Sequence, residues 1–133
     1  MGGERGQSGQ EEGMAALSFE ISIDVREDVT ERTRGARERV RRGLRSGLEE
    51  AGAEMERYAK SIVPVRTGFL RSSIFHRASP TQLAVGAAAP YALYVEFGTR
   101  RMAARPYIRP AVFAKIGELQ RMIASAVVEA LGG

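Results

Sequence analysis

The 133-residue chain has no cysteine. That excludes disulfides, thiolate metal sites and cysteine nucleophiles, and it leaves the core to hold without covalent staples. His76 is the only histidine, and no paired metal-ligand spacing or Gly-Lys-Ser/Thr phosphate loop is present. Glu96 has no carboxylate neighbour for general acid–base work. The chain therefore reads as a non-enzyme with no cofactor. No apolar run approaches the roughly 20 residues of a membrane span, and residues 1–13 contain no signal-peptide apolar stretch.

Charge is unevenly distributed around a formal net of +4. Residues 1–31 carry eight acids against Arg5 and Arg26, whereas residues 32–45 carry seven arginines opposed only by Glu38. A second basic stretch, residues 61–113, has seven arginines with Glu96 as its sole acid. Such a pattern is compatible with non-specific contact to nucleic-acid phosphate and equally with pairing to acidic protein surfaces.

Residues 1–13 combine Gly, Ser, Gln and Glu without an apolar anchor and read as a flexible segment; residues 14–133 read as one α+β domain. Leu17, Phe19, Ile21 and Ile23 alternate with polar residues, the period-2 signature of a half-buried strand. From about residue 28 to Ile62, the positions Val40, Leu44, Leu48, Ala51, Met55, Tyr58 or Ala59, and Ile62 recur at three- and four-residue steps, predicting one long helix. Asp28 or Thr30 can cap its start and Pro64 stops it. Its arginine-rich first half is expected to project or to pack on a neighbour, with Gly35, Gly43 and Gly47 as weak points. Residues 72–78 and 82–88 predict an antiparallel pair turned by Ser79-Pro80-Thr81. A short helix over 91–97 should end at Gly98, and an extended piece around Tyr107 and Ile108 would add an edge strand. Pro110 should open a final amphipathic helix with Ile116, Leu119, Ile123, Ala126, Val127 and Ala130 inward. The expected architecture is one small antiparallel sheet of three or four strands packed with a long helix after the first strand and a C-terminal helix.

Three ordered blocks carry a resemblance. They are Pro64-Val65-Arg66-Thr67-Gly68 with Leu70-Arg71 and Ser73-Ile74; Tyr91-Ala92 with Tyr94-Val95-Glu96-Phe97-Gly98-Thr99; and Arg105-Pro106-Tyr107-Ile108-Arg109-Pro110-Ala111. In these the chain resembles the small tail-component family of long-tailed bacteriophages, typified by the tenth gene product of a lambda-like coliphage. Tyr107 stands where the family often has Phe, and Arg66 where it often has Asp. The resemblance implies a structural protein of the virion, in the neck or tail-completion complex at the head-to-tail junction, assembled in the host cytoplasm. It further implies a homo-oligomeric ring, in keeping with tails a hexamer. Its neighbours would be head-completion or connector proteins and tail terminator or tail-tube proteins, with packaged DNA passing through the lumen and no membrane. The alternatives are a non-specific DNA-binding protein using the arginine-rich helix, and a transient tail-assembly factor.

Within the motifs, Pro64 and Pro110 are expected to set helix boundaries, Gly68 and Gly98 to supply positive-φ turns, and Tyr91, Val95 and Phe97 to fill core under the sheet. Thr67, Leu70, Ser73, Thr99 and Pro106 complete the structural set. Glu96 is expected to accept from Arg66, Arg71 or Arg105, within the subunit or across a subunit boundary. In the second case Glu96→Gln would spare the monomer and weaken assembly. Arg37, Arg41, Arg45, Arg100, Arg101 and Arg105 are, with Glu96, the candidates for an interface or a DNA-facing surface.

Overall fold

The computed structural model describes residues 17–23, 34–65 and 68–132. The expected flexible segment, the Asp28 or Thr30 cap, Arg66 and Thr67 lie outside the described residues. Strand β1, Leu17–Ser22, is followed by helix α1, Arg34–Ile62, and by a single helical turn α2, Phe69–Ser72. Strands β2, Ile74–Ala78, and β3, Gln82–Ala87, precede a short helix α3, Ala92–Phe97, and the long helix α4, Ile108–Gly132.

The three strands form an antiparallel sheet in the order β1-β3-β2. Register pairs Leu17 with Ala87 and Ile74 with Ala87, which makes β3 the central strand. Alternation then sends Leu83, Val85 and Ala87 to the helical side together with Leu17 and Ile74, all buried. Ser18, Glu20, Phe75, Arg77, Gln82 and Ala84 line the open face. The β2–β3 turn is closed by the Ser79 N–H donating to Gln82 O at 2.8 Å, and the Ile23 N–H donates to Thr81 O at 2.8 Å to hold the end of the first strand beside it.

Helix α1 spans about 44 Å at 1.5 Å per residue. It buries Leu44, Leu48, Ala51, Met55 and Ala59, the face its periodicity predicts. Two expectations fail here. The end of the apolar face is Val63 rather than Ile62, which is exposed because the helix stops there and the chain changes direction. The first half packs along α4 rather than projecting, and the helix is continuous from Arg34 to Ile62 through Gly43 and Gly47. A Cβ on Gly43 would stand 3.0 Å from Ala126 Cβ, and one on Gly47 would stand 3.4 Å from the Met122 sulfur, so these glycines are where α4 approaches closely. Arg39 Nη2 adds a 2.7 Å bond to Ala130 O at the far end of α4.

Helix α4 covers the rest of the core with Ile108, Ala111, Val112 and Leu119, while Ile116 and Ile123 pack at its margin. The expected edge strand at Tyr107 and Ile108 does not exist. Both residues are fully buried, and α4 begins two residues before Pro110, for the reason given below. Among the described residues, no helix is long and apolar enough to cross a membrane.

Candidate assembly surface

The segment 88–110 carries the second and third motif blocks, and one buried carboxylate organises it. Helix α3 has only six residues, so a single face can be inward, and that face carries Ala92 and Glu96. Glu96 is 0% exposed. Its Oε1 accepts the N–H groups of Tyr107 at 2.9 Å and Ile108 at 2.8 Å; its Oε2 accepts the Arg109 N–H at 3.0 Å and Arg109 Nε–H at 2.9 Å. Arg109 Nη2 also donates to Glu96 O at 3.0 Å.

These bonds explain where α4 starts. A helix leaves its first four backbone N–H groups without intrahelical partners. Here three are taken by Glu96, and the fourth position is Pro110, which has none to offer. A carboxylate on a neighbouring element thus caps the helix and complements the positive end of its dipole. Burial alone would raise the pKa of Glu96, but the N–H groups of Tyr107 and Ile108 and both groups of Arg109 outweigh it, so the net shift is downward. Tyr107 is buried beside this charge, which together raise its pKa, and its hydroxyl donates to Ala92 O at 3.0 Å.

The expected partners of Glu96 are therefore corrected. Arg71 Nε donates instead to Lys60 O at 3.1 Å, Arg105 meets α3 through its backbone N–H donating to Val95 O at 2.8 Å, and the guanidinium on Glu96 is that of Arg109. The four acceptor contacts described are all made within the chain, which ties Glu96 to the start of α4.

The motif glycines behave as expected: Gly68 and Gly98 have φ of 86° and 81°. A Cβ on Gly98 would lie 2.7 Å from Ala104 N and 2.9 Å from Met102 O, both backbone atoms, so this turn is closed to other residues on two counts. Ser73 bridges α2 to the end of β3, its Oγ donating to Leu70 O at 2.8 Å and accepting from the Ala89 N–H at 3.1 Å. Leu70 is buried, Val95 packs at the core margin, and Pro64 follows α1 as foreseen.

Tyr91 and Phe97 do not fill core. Tyr91 is 40%, Tyr94 54% and Phe97 47% exposed, because one turn of helix cannot turn them inward as well as Ala92 and Glu96. Phe97 stacks on Phe19 at 6.4 Å between centroids and lies under the Arg109 guanidinium at 4.3 Å. Tyr91 meets the exposed Phe69 ring at 6.2 Å. Pro64, Tyr91, Tyr94, Val95, Met102 and Arg105 border a mainly apolar groove of about 450 Å³. Beside it the turn 98–102, closed by the Thr99 N–H donating to Met102 O and by Thr99 Oγ1 accepting from the Arg101 N–H, presents Arg100 and Arg101 to solvent. Pro106 is also exposed.

The other candidate arginines, Arg37, Arg41 and Arg45, follow one another at four-residue steps on α1, which puts them on one side of the helix; Arg45 is exposed and the other two half-buried. On the opposite end of α1, His76 from β2 is held by two carboxylates. Nδ1 lies 2.6 Å from Glu56 Oε1 and Nε2 lies 2.9 Å from Glu49 Oε2. Ionised carboxylates only accept, so the pair of contacts favours the protonated imidazole, in which both ring nitrogens donate. Nothing in the sequence alone pairs these residues, since Glu49 and Glu56 meet His76 only through the docking of α1 on β2. Among the described residues, no group of three or more His, Asp or Glu could hold a metal ion.

The segment thus combines a charged framework that fixes a helix start with exposed aromatics and arginines around it. No curated protein and no solved structure matches the chain. The family model for the bacteriophage HK97 gp10 tail component matches residues 25–98, more than half of the chain, from before α1 to the turn at Gly98. The match takes in the first motif block and the second as far as Gly98, Glu96 included, and the third block, whose N–H groups Glu96 receives, follows it. The chain therefore belongs to the HK97 gp10-like tail-component family of bacteriophages.

Proposed function

We propose that this tail component is a neck or tail-completion subunit, acting at the head-to-tail junction by forming a homo-oligomeric ring. A hexamer matches the symmetry of such tails. Its axial neighbours are head-completion or connector proteins on one side and tail terminator or tail-tube proteins on the other. The observation that carries the reading is the surface around the second motif block: Tyr91, Tyr94 and Met102 line one groove and stand exposed rather than in the core, and the exposed Phe69 ring lies against Tyr91. Contiguous exposed aromatics rimmed by charge are what protein interfaces are made of. The protein is made in the host cytoplasm and remains in the virion, and its work is contact rather than chemistry.

Quantitative mass spectrometry of purified virions, together with particles from a gene knockout, tests this. A few copies per virion, with unjoined heads and tails in the knockout, is the expected result. Absence from finished particles would overturn it and favour a transient assembly factor.

A second reading rests on the spacing of Arg37, Arg41 and Arg45, which puts the three positions on one side of α1, with Arg45 exposed. Within a ring, this face would line the lumen and meet packaged DNA through phosphate contacts. Fluorescence anisotropy of a labelled duplex should show weak binding by the subunit that falls steeply with salt. Tight binding by a monomer that never assembles would instead favour a free-standing DNA-binding protein.

A further inference from the structure

We infer that the ring closes head to tail: the apolar groove and its arginine rim on one subunit receive the acidic groove between α1 and α4 of a second copy. This rests on the ring reading above and names the two surfaces that meet.

The first surface is one-sided in charge. Arg100, Arg101 and Arg105 are exposed, and the single acid of residues 61–113, Glu96, is buried and already matched by Arg109. Among the described residues no acid lines this groove, and its lining is mainly apolar, with Tyr91, Tyr94, Val95 and Met102. Its occupant must bring carboxylates around an apolar anchor.

The second surface has that chemistry. Between α1 and α4 runs an open groove of about 650 Å³, whose charged lining is Glu50, Glu54, Glu118 and Glu129 against Arg121, with Lys115 pairing Glu54 at 3.5 Å, so acids still outnumber bases. Met122 is among its lining residues, and the apolar anchor is Val128, next to the lining residue Glu129 and 68% exposed. The glycines that let α4 approach α1, Gly43 and Gly47, also border this groove.

The two surfaces cannot meet within one molecule. The aromatic groove lies where α1 has ended at Pro64, and the acidic groove is centred near Glu50, roughly 20 Å back along the same helix. Two different patches, one past the end of α1 and one along its middle, make the contact heterologous, and repeated heterologous contacts close into a ring when the rotation allows. Complementary charge fixes the orientation of such a contact and rejects like-on-like pairing.

The test uses the full chain and two charge-reversed variants, Arg101→Glu with Arg105→Glu, and Glu50→Lys with Glu129→Lys. All four side chains are exposed, so circular dichroism and melting temperature should match the parent. By native mass spectrometry and sedimentation, the parent should form a closed oligomer. Each variant alone should need about tenfold or more protein to assemble. Mixed one to one, they should recover an even-membered ring, because every junction then pairs opposite charges. If the parent assembles and the reversals leave its midpoint unchanged, the ring reading stands and this interface falls, the groove then belonging to a different virion protein. If only the arginine reversal matters, the contact is not with the acidic groove and the inference is overturned. A parent that stays monomeric at every concentration removes the ring reading, and this inference with it.

Discussion

Glu96 and His76 each tie two elements together through charged hydrogen bonds, yet they sit in opposite solvent. The Glu96 carboxylate is sealed from water and takes three backbone N–H groups and one guanidinium N–H, so a whole helix start depends on it. The His76 ring joins β2 to α1 through two glutamates, of which Glu49 is 61% exposed at its side chain, and a third charge, Lys60, shares Glu56 at 2.8 Å. Water reaches the Glu49 side of the second cluster freely, whereas the Glu96 carboxylate itself is 0% exposed. The contrast separates an ion pair that defines the fold from one that decorates it.

The largest effect should come from Glu96→Gln. Glutamine keeps the shape but offers one acceptor oxygen, and its amide would point a donor at the donors of Arg109. The loss should be about 3 kcal/mol, the cost of leaving buried donors unmatched. For a domain of this size, that is a fall in melting temperature on the order of 10 °C. Urea unfolding checks it in the monomer, which is the reverse of the outcome an interface role predicts. A variant as stable as the parent would show that the capping carboxylate contributes nothing as a charge.

Gly52→Ala probes the other cluster at its support. A Cβ there would fall 2.7 Å from Leu83 Cδ1 and 2.8 Å from His76 Cδ2. The bare backbone of α1 at Gly52 is what lets the imidazole and Leu83 lie against the helix, so the methyl should cost about 1–2 kcal/mol through overpacking despite the better helix propensity of alanine. A gain in the urea midpoint would mean that the ring and Leu83 move aside freely. Tyr107→Phe returns to the buried cluster and removes one neutral bond, to Ala92 O, at about 1 kcal/mol. A smaller loss, read in the same urea experiment, would show that the oxygen of Ala92 finds another donor.

Much of the fold was legible in the sequence, and the misses share one cause. The alternation of Leu17, Phe19 and Ile21, the three- and four-residue steps from Leu44 to Ala59 and the turn at Ser79-Pro80-Thr81 are local patterns, and each gave its element. What failed was long-range. Capping boxes place acceptor and N–H within three residues, whereas Glu96 stands eleven to thirteen residues before its partners. Two hints were present: a lone acid in a basic stretch, and a helix starting near Pro110 with no Ser, Thr, Asp or Asn at its cap. The extended reading of Tyr107 and Ile108 followed from missing that pair. Tyr91 and Phe97 were assigned to core on composition, and the six-residue length of α3 decides against it. The Gly43 and Gly47 contacts needed the position of α4, which no local pattern specifies.

The smallest effect is a pH dependence, and its sign follows from the charges around His76. Desolvation lowers the His76 pKa, but hydrogen bonds and attraction to Glu49 and Glu56 outweigh it, so the folded value lies above the ordinary 6.5. Glu56 is itself shifted down, its burial outweighed by Lys60 and His76. The folded protein thus holds the imidazole proton more tightly than the unfolded chain does. The stabilisation is full below the unfolded pKa of about 6.5 and disappears as pH rises through the higher folded value. A partly exposed pair of this kind contributes on the order of 0.5 kcal/mol. His76→Gln should therefore lower the urea midpoint at pH 6 and leave a smaller difference at pH 9, while Glu96→Gln keeps its full cost at both, its carboxylate being ionised throughout. An equal His76→Gln deficit at the two pH values would mean that the ring acts by packing alone, and the distinction between a fold-defining charge and a decorative one would then rest on Glu96 by itself.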